Sequence, residues 1–193
     1  SEYHDHGHDH VVNPGGRGGE GRRFIGTNYR MMEIQGAIGI AQLAKLDMML
    51  AAQRKNKARL REAAAAIPGV SFRQLVDPGG DTATHFSFFL QDQEHCRRVN
   101  ARLQESGCGA ICFADNTWHY YPQWEHLLHG KSVASGGWPF AGPDGRRRVV
   151  YDSAALPASA ALMNRNLVYP VSVRMPEERL AAMCDALTGA ATV

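Results

Sequence analysis

Residues 3–10 read YHDHGHDH, setting His4, His6, His8 and His10 at every second position with Asp5 and Asp9 among them. Imidazole is the commonest metal ligand, and an extended backbone would throw all four rings to one side. Metal binding is therefore one chemistry this string could support. A structural zinc site usually draws ligands from two separated segments, locked by surrounding hydrogen bonds, and one short run does not supply that. An affinity tag would be an uninterrupted histidine run, which this is not. The third reading is a loop whose imidazoles and carboxylates have another task.

Other ligating groups add little to the metal reading. Cys108, Cys112 and His119 could in principle bind zinc, but their spacing matches no familiar zinc pattern. The four cysteines, Cys96, Cys108, Cys112 and Cys184, form no CxxC pair and no dense framework, so reduced cytoplasmic thiols are expected.

The composition, 44% hydrophobic and 21% charged over 193 residues, describes a soluble globular domain or one large piece of a longer protein. Net charge is +2 with the basic residues spread along the chain, which argues against a nucleic-acid partner. The one basic run, Arg146–Arg148, lies among glycines and a proline and reads as a solvated loop. No apolar segment approaches the roughly 20 residues needed to span a bilayer, and residues 1–30 do not resemble a signal peptide. The first residue is Ser1, and no helix or strand precedes the histidine string, so a piece of something longer is expected.

The elements that must position these groups follow from periodicity. Residues 11–26 hold six glycines and a proline and read as a loop. A helical region is predicted from about Tyr29 to Ala66, with Ile34, Ala37, Ile38 and Ala41 on one stripe and Leu43, Leu46 and Leu50 on a second. Its length favours a break near Lys45–Asp47, and Pro68-Gly69 stops it. Gly36 and Gly39 each cost a helix up to ~1 kcal/mol relative to alanine, so either tight internal packing or a subunit interface is expected there. Strands are predicted at 70–76, with Val70, Phe72 and Val76 on one face, and at 84–90, 109–114 and 167–173. Pro170 places the last of these at a sheet edge. A helix over 93–106 should bury Cys96, Val99 and Leu103, and one starting at Pro176 should bury Leu180, Met183 and Leu187. Between them, 115–148 is a long loop rich in aromatics, glycine and proline. The order implies an α+β layer, helices packed on a small, largely antiparallel sheet.

The most informative segment is GTNYRMMEIQGAIGIAQLAKLD, residues 26–47. It resembles the motif G-x-N-Y-R-M-x-E/D-x-Q-A-A-I-G-x-A-Q-L-x-K-L-D of the DegT/DnrJ/EryC1/StrS sugar aminotransferases. The match runs through Gly26, Asn28, Tyr29, Arg30, Met31, Glu33, Gln35, Ala37, Ile38, Gly39, Gln42 and Leu43, with Gly36 where the family usually has alanine. HDHG before a glycine-rich loop is similar to the family's H-G segment, NTWHYYPQWEHL (116–127) to its H-Y-x-P region, and NRNLVYPVSVRMPEERL to its final strand and helix. The DHGH and WHYYPQWEHL variants look most similar to the subgroup that aminates 8-oxo-3,8-dideoxy-manno-octulosonate, which would connect the chain to lipopolysaccharide sugars.

The resemblance implies the C-terminal small domain of the aspartate aminotransferase-like pyridoxal-phosphate fold. Residues 1–28 would be an active-site loop region leading from a large cofactor domain, and 29–193 the small domain, including the helical region 29–66. It implies a cytoplasmic homodimer acting on a keto-sugar and an amino-acid donor, with glutamate the expected donor and pyridoxal 5'-phosphate the cofactor. Asn28 would reach the cofactor phosphate of the neighbouring subunit, at a helix start whose free N–H groups attract an anion; as a residue alone it could equally be an N-cap. Arg30 could hold a sugar-acid carboxylate bidentately or form a surface ion pair. His6 and Gly7 carry over as substrate-side loop residues, and His119 and Tyr120 as a second substrate-side pair. Trp118, Tyr121, Trp124 and Trp138 could wall a sugar pocket or simply fill a core. Arg165 is a candidate for the donor carboxylate.

One departure matters. This chemistry needs a lysine as internal Schiff base and proton shuttle, and the family's lysine precedes a T-G-E-G-G segment. GGEGRR (18–23) mimics that segment with no lysine before it, and Lys45, Lys55, Lys57 and Lys131 all lack the context. The chain alone is therefore expected to be inactive, with its lysine upstream of residue 1. Two rivals remain: a metalloprotein using His4–His10, and a non-catalytic relative serving binding or dimerisation.

Overall fold

The computed structural model describes residues 31–193, and the chain divides into two units, 1–47 and 48–193. In the first unit the described residues form helix α1, Glu33–Leu43. Its start is not at Tyr29. Met32 is the N-cap, and its backbone N–H donates to Gln35 Oε1 at 2.8 Å, so the side chain three residues on closes the first turn.

None of the α1 residues is buried. Met31, Met32, Ile34, Ile38, Ile40 and Leu43 are 55–73% exposed within this chain. Ile34 and Ile38 share one face, while Ile40 and Leu43 lie round the other side. A helix apolar on more than one face is normally buried, since solvent offers it no favourable orientation. A Cβ added at Gly39 would meet nothing within 4 Å, and one at Gly36 would meet only Met31 Sδ at 3.8 Å. Tight packing against the described residues is therefore not what calls for these glycines.

The helical region breaks at Ala44–Lys45, as its length predicts, and α2 runs Leu46–Ala64. The second unit then adds β1 (Ser71–Phe72), β2 (His85–Phe89), α3 (Gln93–Glu105), β3 (Ile111–Cys112), α4 (Glu125–Leu128), α5 (Pro157–Met163), β4 (Asn166–Pro170) and α6 (Glu177–Gly189). All pairings in the sheet are antiparallel, in the order β1-β2-β4-β3.

Register follows from which side chains must turn inward. Phe86 pairs with Tyr169 and Phe88 with Leu167, and all four are buried. Against that face α2 sets Leu60 and Ala64, α3 sets Cys96, Val99 and Leu103, and α6 sets Leu180, Met183 and Leu187, in one continuous core. Each fully buried Leu or Phe contributes about 1.5–3 kcal/mol of transfer free energy, so this cluster dominates the stability of the unit. The α3 N-cap is Asp92, which accepts from His95 N–H at 2.8 Å, and Gly107 follows the helix at φ +67°. No helix among the described residues is long and apolar enough to cross a membrane.

Three sequence expectations need correction. The strand expected over 70–76 is paired only at Ser71–Phe72, because β1 reaches just the end of β2, and Val76 is fully exposed. The strand expected over 109–114 is likewise reduced to Ile111–Cys112, and a 3₁₀ turn, Phe113–Asp115, takes over the chain. Pro170 does not mark an edge strand, since β4 lies between β2 and β3. Val171 N–H donates to Thr84 O, so the nitrogen one residue earlier faces the β3 side, where β3 pairing has already ended at Val168. The proline's missing N–H therefore costs the sheet no hydrogen bond.

Candidate functional site

His4, His6, Gly7, His8, His10, Asn28 and Arg30 lie outside the described residues. What the structure places is the aromatic segment between β3 and α5, where the second group of expected site residues falls.

That segment is not an open loop. Asn116 Oδ1 accepts the backbone N–H groups of Trp118 (2.9 Å) and His119 (2.8 Å), turning the chain sharply after β3. Gln123 Nε2 donates back to Ala114 O at 3.0 Å, and the Trp124 indole N–H donates to Trp118 O at 3.1 Å. Tyr121 donates to Asp152 O at 2.8 Å while its ring meets Trp124 and Tyr151 edge-on, with centroids 6.3 and 6.5 Å away. Phe140 packs edge-on against Tyr151 in turn. Aromatic pairs in this range add about 0.5–1.5 kcal/mol beyond simple burial, so the segment carries a small core of its own.

Arg147 ties the segment together from the other side. Its guanidinium donates to Leu128 O at 2.8 Å and Val149 O at 3.0 Å. The basic run expected to be merely solvated thus contains one arginine committed to carbonyls. Arg148 pairs only loosely with Asp144, at 3.6 Å.

The expected site residues separate within this frame. His119 is exposed, with only its backbone N–H engaged by Asn116. Tyr120, its neighbour, points inward: it is 7% exposed and donates its hydroxyl to Asn164 Oδ1 at 2.7 Å. Burial pushes the Tyr120 phenol above its usual range, only partly offset by Asn164. The two adjacent residues therefore do not converge on one space. Trp118 and Trp124 do, together with Thr117 and His126, around a surface hollow of ≈400 Å³. His126, absent from the expected set, stacks on Trp124 with centroids 6.2 Å apart. No spacing in the sequence marked it, since Trp124 caps the short helix that carries His126 and i,i+2 positions do not share a helix face. Trp138, though exposed, is not part of that lining.

Other candidates have structural duties. Arg165 donates to Leu90 O at 2.7 Å and lies over the Phe89 ring. Cys108 is buried beneath Arg179, which donates to Gly107 O at 2.9 Å. Burial, with Cys112 alongside, pushes the Cys96 thiol up to about 12. Among the described residues no group of three or more His, Cys, Asp or Glu could hold a metal ion. A second hollow of ≈510 Å³ lies within 73–82, and of its two carboxylates, Asp77 and Asp81, the latter is taken up by Lys57 at 2.6 Å.

The lysines decide how far a cofactor fits. All four are described: Lys57 pairs with Asp81, Lys131 pairs with Glu125 at 3.1 Å, Lys45 is exposed in the turn between α1 and α2, and Lys55 is exposed on α2. None is buried beside a ligand-sized cavity, so the described residues do not fit covalent attachment of a pyridoxal group.

A profile of the DegT/DnrJ/EryC1/StrS aminotransferase family matches residues 2–136. The chain belongs to that family. Solved structures with the same fold include an aminotransferase from Psychrobacter cryohalolentis, at 18% identity and TM-score 0.61, covering 97% of this chain and 47% of that one. A sugar aminotransferase from Micromonospora echinospora matches at 18% identity and TM-score 0.54, over 94% of this chain and 40% of the other. A family aminotransferase from Brucella abortus matches at 21% identity and TM-score 0.55, over 90% of this chain and 39% of the other. The chain thus spans less than half the length of each of these relatives. At such identities the likeness establishes the fold: the sheet and helices described above are shared with members of the family.

Proposed function

We propose that this chain is the C-terminal portion of a pyridoxal-phosphate-dependent aminotransferase that moves an amino group, from glutamate, onto a keto-sugar. The observation that carries the reading is the family match over residues 2–136, which includes the G-x-N-Y-R segment and its following helix. Sugar nucleotides and 8-oxo-3,8-dideoxy-manno-octulosonate are the substrate forms proposed, the latter from the DHGH and WHYYPQWEHL variants.

The cofactor would supply the amino-group chemistry when bound, on a lysine outside this chain. This chain's own part is positioning. Asn28 would meet the cofactor phosphate, and His6, Gly7 and Arg30 would contact the substrate. Because α1 starts at Glu33, Asn28 would act as a side chain four residues ahead of its N-cap rather than as that cap. His119 would reach substrate from an exposed turn, whereas the Tyr120 hydroxyl, engaged by Asn164, would act through packing. Residues 1–28 would form the active-site loop and 29–193 the small domain. The exposed apolar residues of α1 support a homodimer or a large domain covering them, in a cytoplasmic enzyme.

The test is a glutamate-to-keto-sugar assay, with 2-oxoglutarate release as readout. A polypeptide carrying this chain plus an upstream lysine-bearing segment should be active with the cofactor, and the 193-residue chain alone should be silent. Turnover by the chain alone would overturn the division of labour. An upstream reading frame lacking such a lysine would instead favour a non-catalytic family member.

A further inference from the structure

We propose that Cys96 and Cys112 form a reversible disulfide, which joins α3 to β3 when the protein meets a peroxide and opens again with a reducing dithiol. Both are free thiols at rest. This modification site goes beyond the amino-transfer reading and does not depend on it.

Sheet register brings the two sulfurs together. Directly opposite residues of an antiparallel pair point to the same face, and Cys112 lies opposite Leu167, which is fully buried. Cys96 belongs to the same core cluster as Leu167, and Cys112 packs against that cluster. Two contacts hold α3 over this strand on either side of the pair. Asn100 Oδ1 accepts from Ala110 N–H at 2.8 Å, and Arg97 reaches Asp115 at 3.4 Å. The Cys112 thiol accordingly lies within hydrogen-bonding reach of Cys96. Cys108, by contrast, is buried beneath Arg179, and Cys184 sits on α6.

Burial sets the order of events. Cys96 is 0% exposed and its thiol is pushed up to about 12, so it stays protonated and away from oxidant. Cys112 is half-buried and meets the peroxide first. As the peroxide O–O bond breaks, the Cys112 sulfur takes one oxygen to become a sulfenic acid, and water leaves. The Cys96 sulfur then attacks the Cys112 sulfur and the S–O bond breaks. The departing hydroxide takes the Cys96 proton and leaves as a second water. Two electrons have passed from the sulfurs to the peroxide. The bridge closes a loop of about 15 residues, which restricts the unfolded chain and pins β3 where the aromatic segment departs from it.

The experiment treats the full 193-residue chain with a small excess of hydrogen peroxide, blocks the remaining thiols with N-ethylmaleimide and maps the peptides by mass spectrometry. A Cys96–Cys112 link is expected, with the other two of the four cysteines still alkylated and the link lost after dithiothreitol. Trypsin leaves Cys108 and Cys112 in one peptide, so fragment ions assign the linked sulfur. The oxidised chain should melt about 6–12 °C above the reduced one, the size expected for closing a loop of this length. Cys112→Ser should lose both the link and the oxidant-dependent shift in melting. Circular dichroism shows whether that variant folds, and if it does not, the wild-type peptide map decides alone. A link between any other pair, oxidation of Cys112 to sulfinic acid with Cys96 still free, absence of any link in the folded chain, or a linked chain that melts no higher than the reduced one would each overturn the proposal. None of these readouts involves amino transfer, so their failure would leave the aminotransferase reading standing.

Discussion

Lys57 Nζ lies 2.6 Å from Asp81 Oδ2, joining the middle of α2 to the loop that leads into β2. Arg54 reinforces the same junction by donating to Gly79 O at 2.6 Å and Asp81 O at 2.9 Å. The side chains of Lys57 and Asp81 are 18% and 16% exposed, so water screens the pair less than it does the surface pairs of this chain. The Lys57 hydrogen bond, more than the Ala83 backbone or the Arg73 charge, holds the Asp81 carboxyl below the usual range. A carboxylate with a depressed folded pKa adds stability above its unfolded value, near 4, and loses it as pH falls through the folded value. Asp81→Asn should therefore lower stability by about 1–2 kcal/mol at neutral pH. Thermal melts from pH 7 downward should show the gap closing only below about pH 4. A gap independent of pH would show that the carboxylate charge is not what matters.

Tyr120→Phe should cost about 1 kcal/mol, because it leaves the half-buried Asn164 side-chain carbonyl without its donor. Burial raises the folded phenol pKa, so the neutral form is favoured in the native state and that stability is present below about pH 10 and lost at higher pH. An ultraviolet titration should show one fewer late-ionising tyrosine in the variant than in the wild type, where buried Tyr169 also ionises late. If Tyr120 instead contacts substrate through its hydroxyl, the variant would raise KM with little change in melting temperature.

Phe88→Ala should be severe. Phe88 is fully buried, stacks on Phe86 at 5.2 Å and pairs across β2–β4 with Leu167. Removing an aromatic ring from such a core costs about 3–5 kcal/mol, enough to unfold a marginal unit, and urea titration followed by circular dichroism measures it.

Charged substitutions in α1 should behave in the opposite way. Ile34→Glu and Ile40→Glu replace side chains 65% and 73% exposed, so the melting transition of the second unit should move by less than about 0.5 kcal/mol. Self-association of the chain, read by sedimentation velocity, should fall sharply, because exposed apolar patches of this kind drive assembly. Unchanged sedimentation would remove α1 from the assembly surface.

The local elements were legible because their signals are local. The 3–4 spacing of Cys96, Val99 and Leu103 reappears as the buried face of α3, and Leu180, Met183 and Leu187 as that of α6. Periodicity also placed β2 and the break after α1, and the family motif in 26–47 named the family that the profile over 2–136 establishes. Pairing was not legible in the same way. Whether 70–76 forms a long strand depends on how far β2 extends beside it, and Pro170 is tolerated inside the sheet only because β3 stops short.

The candidate site divides along the same line. The sequence alone determined which residue types gather in 116–127 and that no lysine stands in the context covalent cofactor chemistry requires. Only the tertiary structure decided that Tyr120 turns inward to Asn164, that Arg147 serves carbonyls, and that His126 joins Trp118 and Trp124 around one hollow. The reason is physical: residue spacing prescribes the direction of a side chain relative to its own backbone, whereas burial and partners depend on segments 44 residues away for Tyr120 and 19 for Arg147 that the chain must first bring alongside.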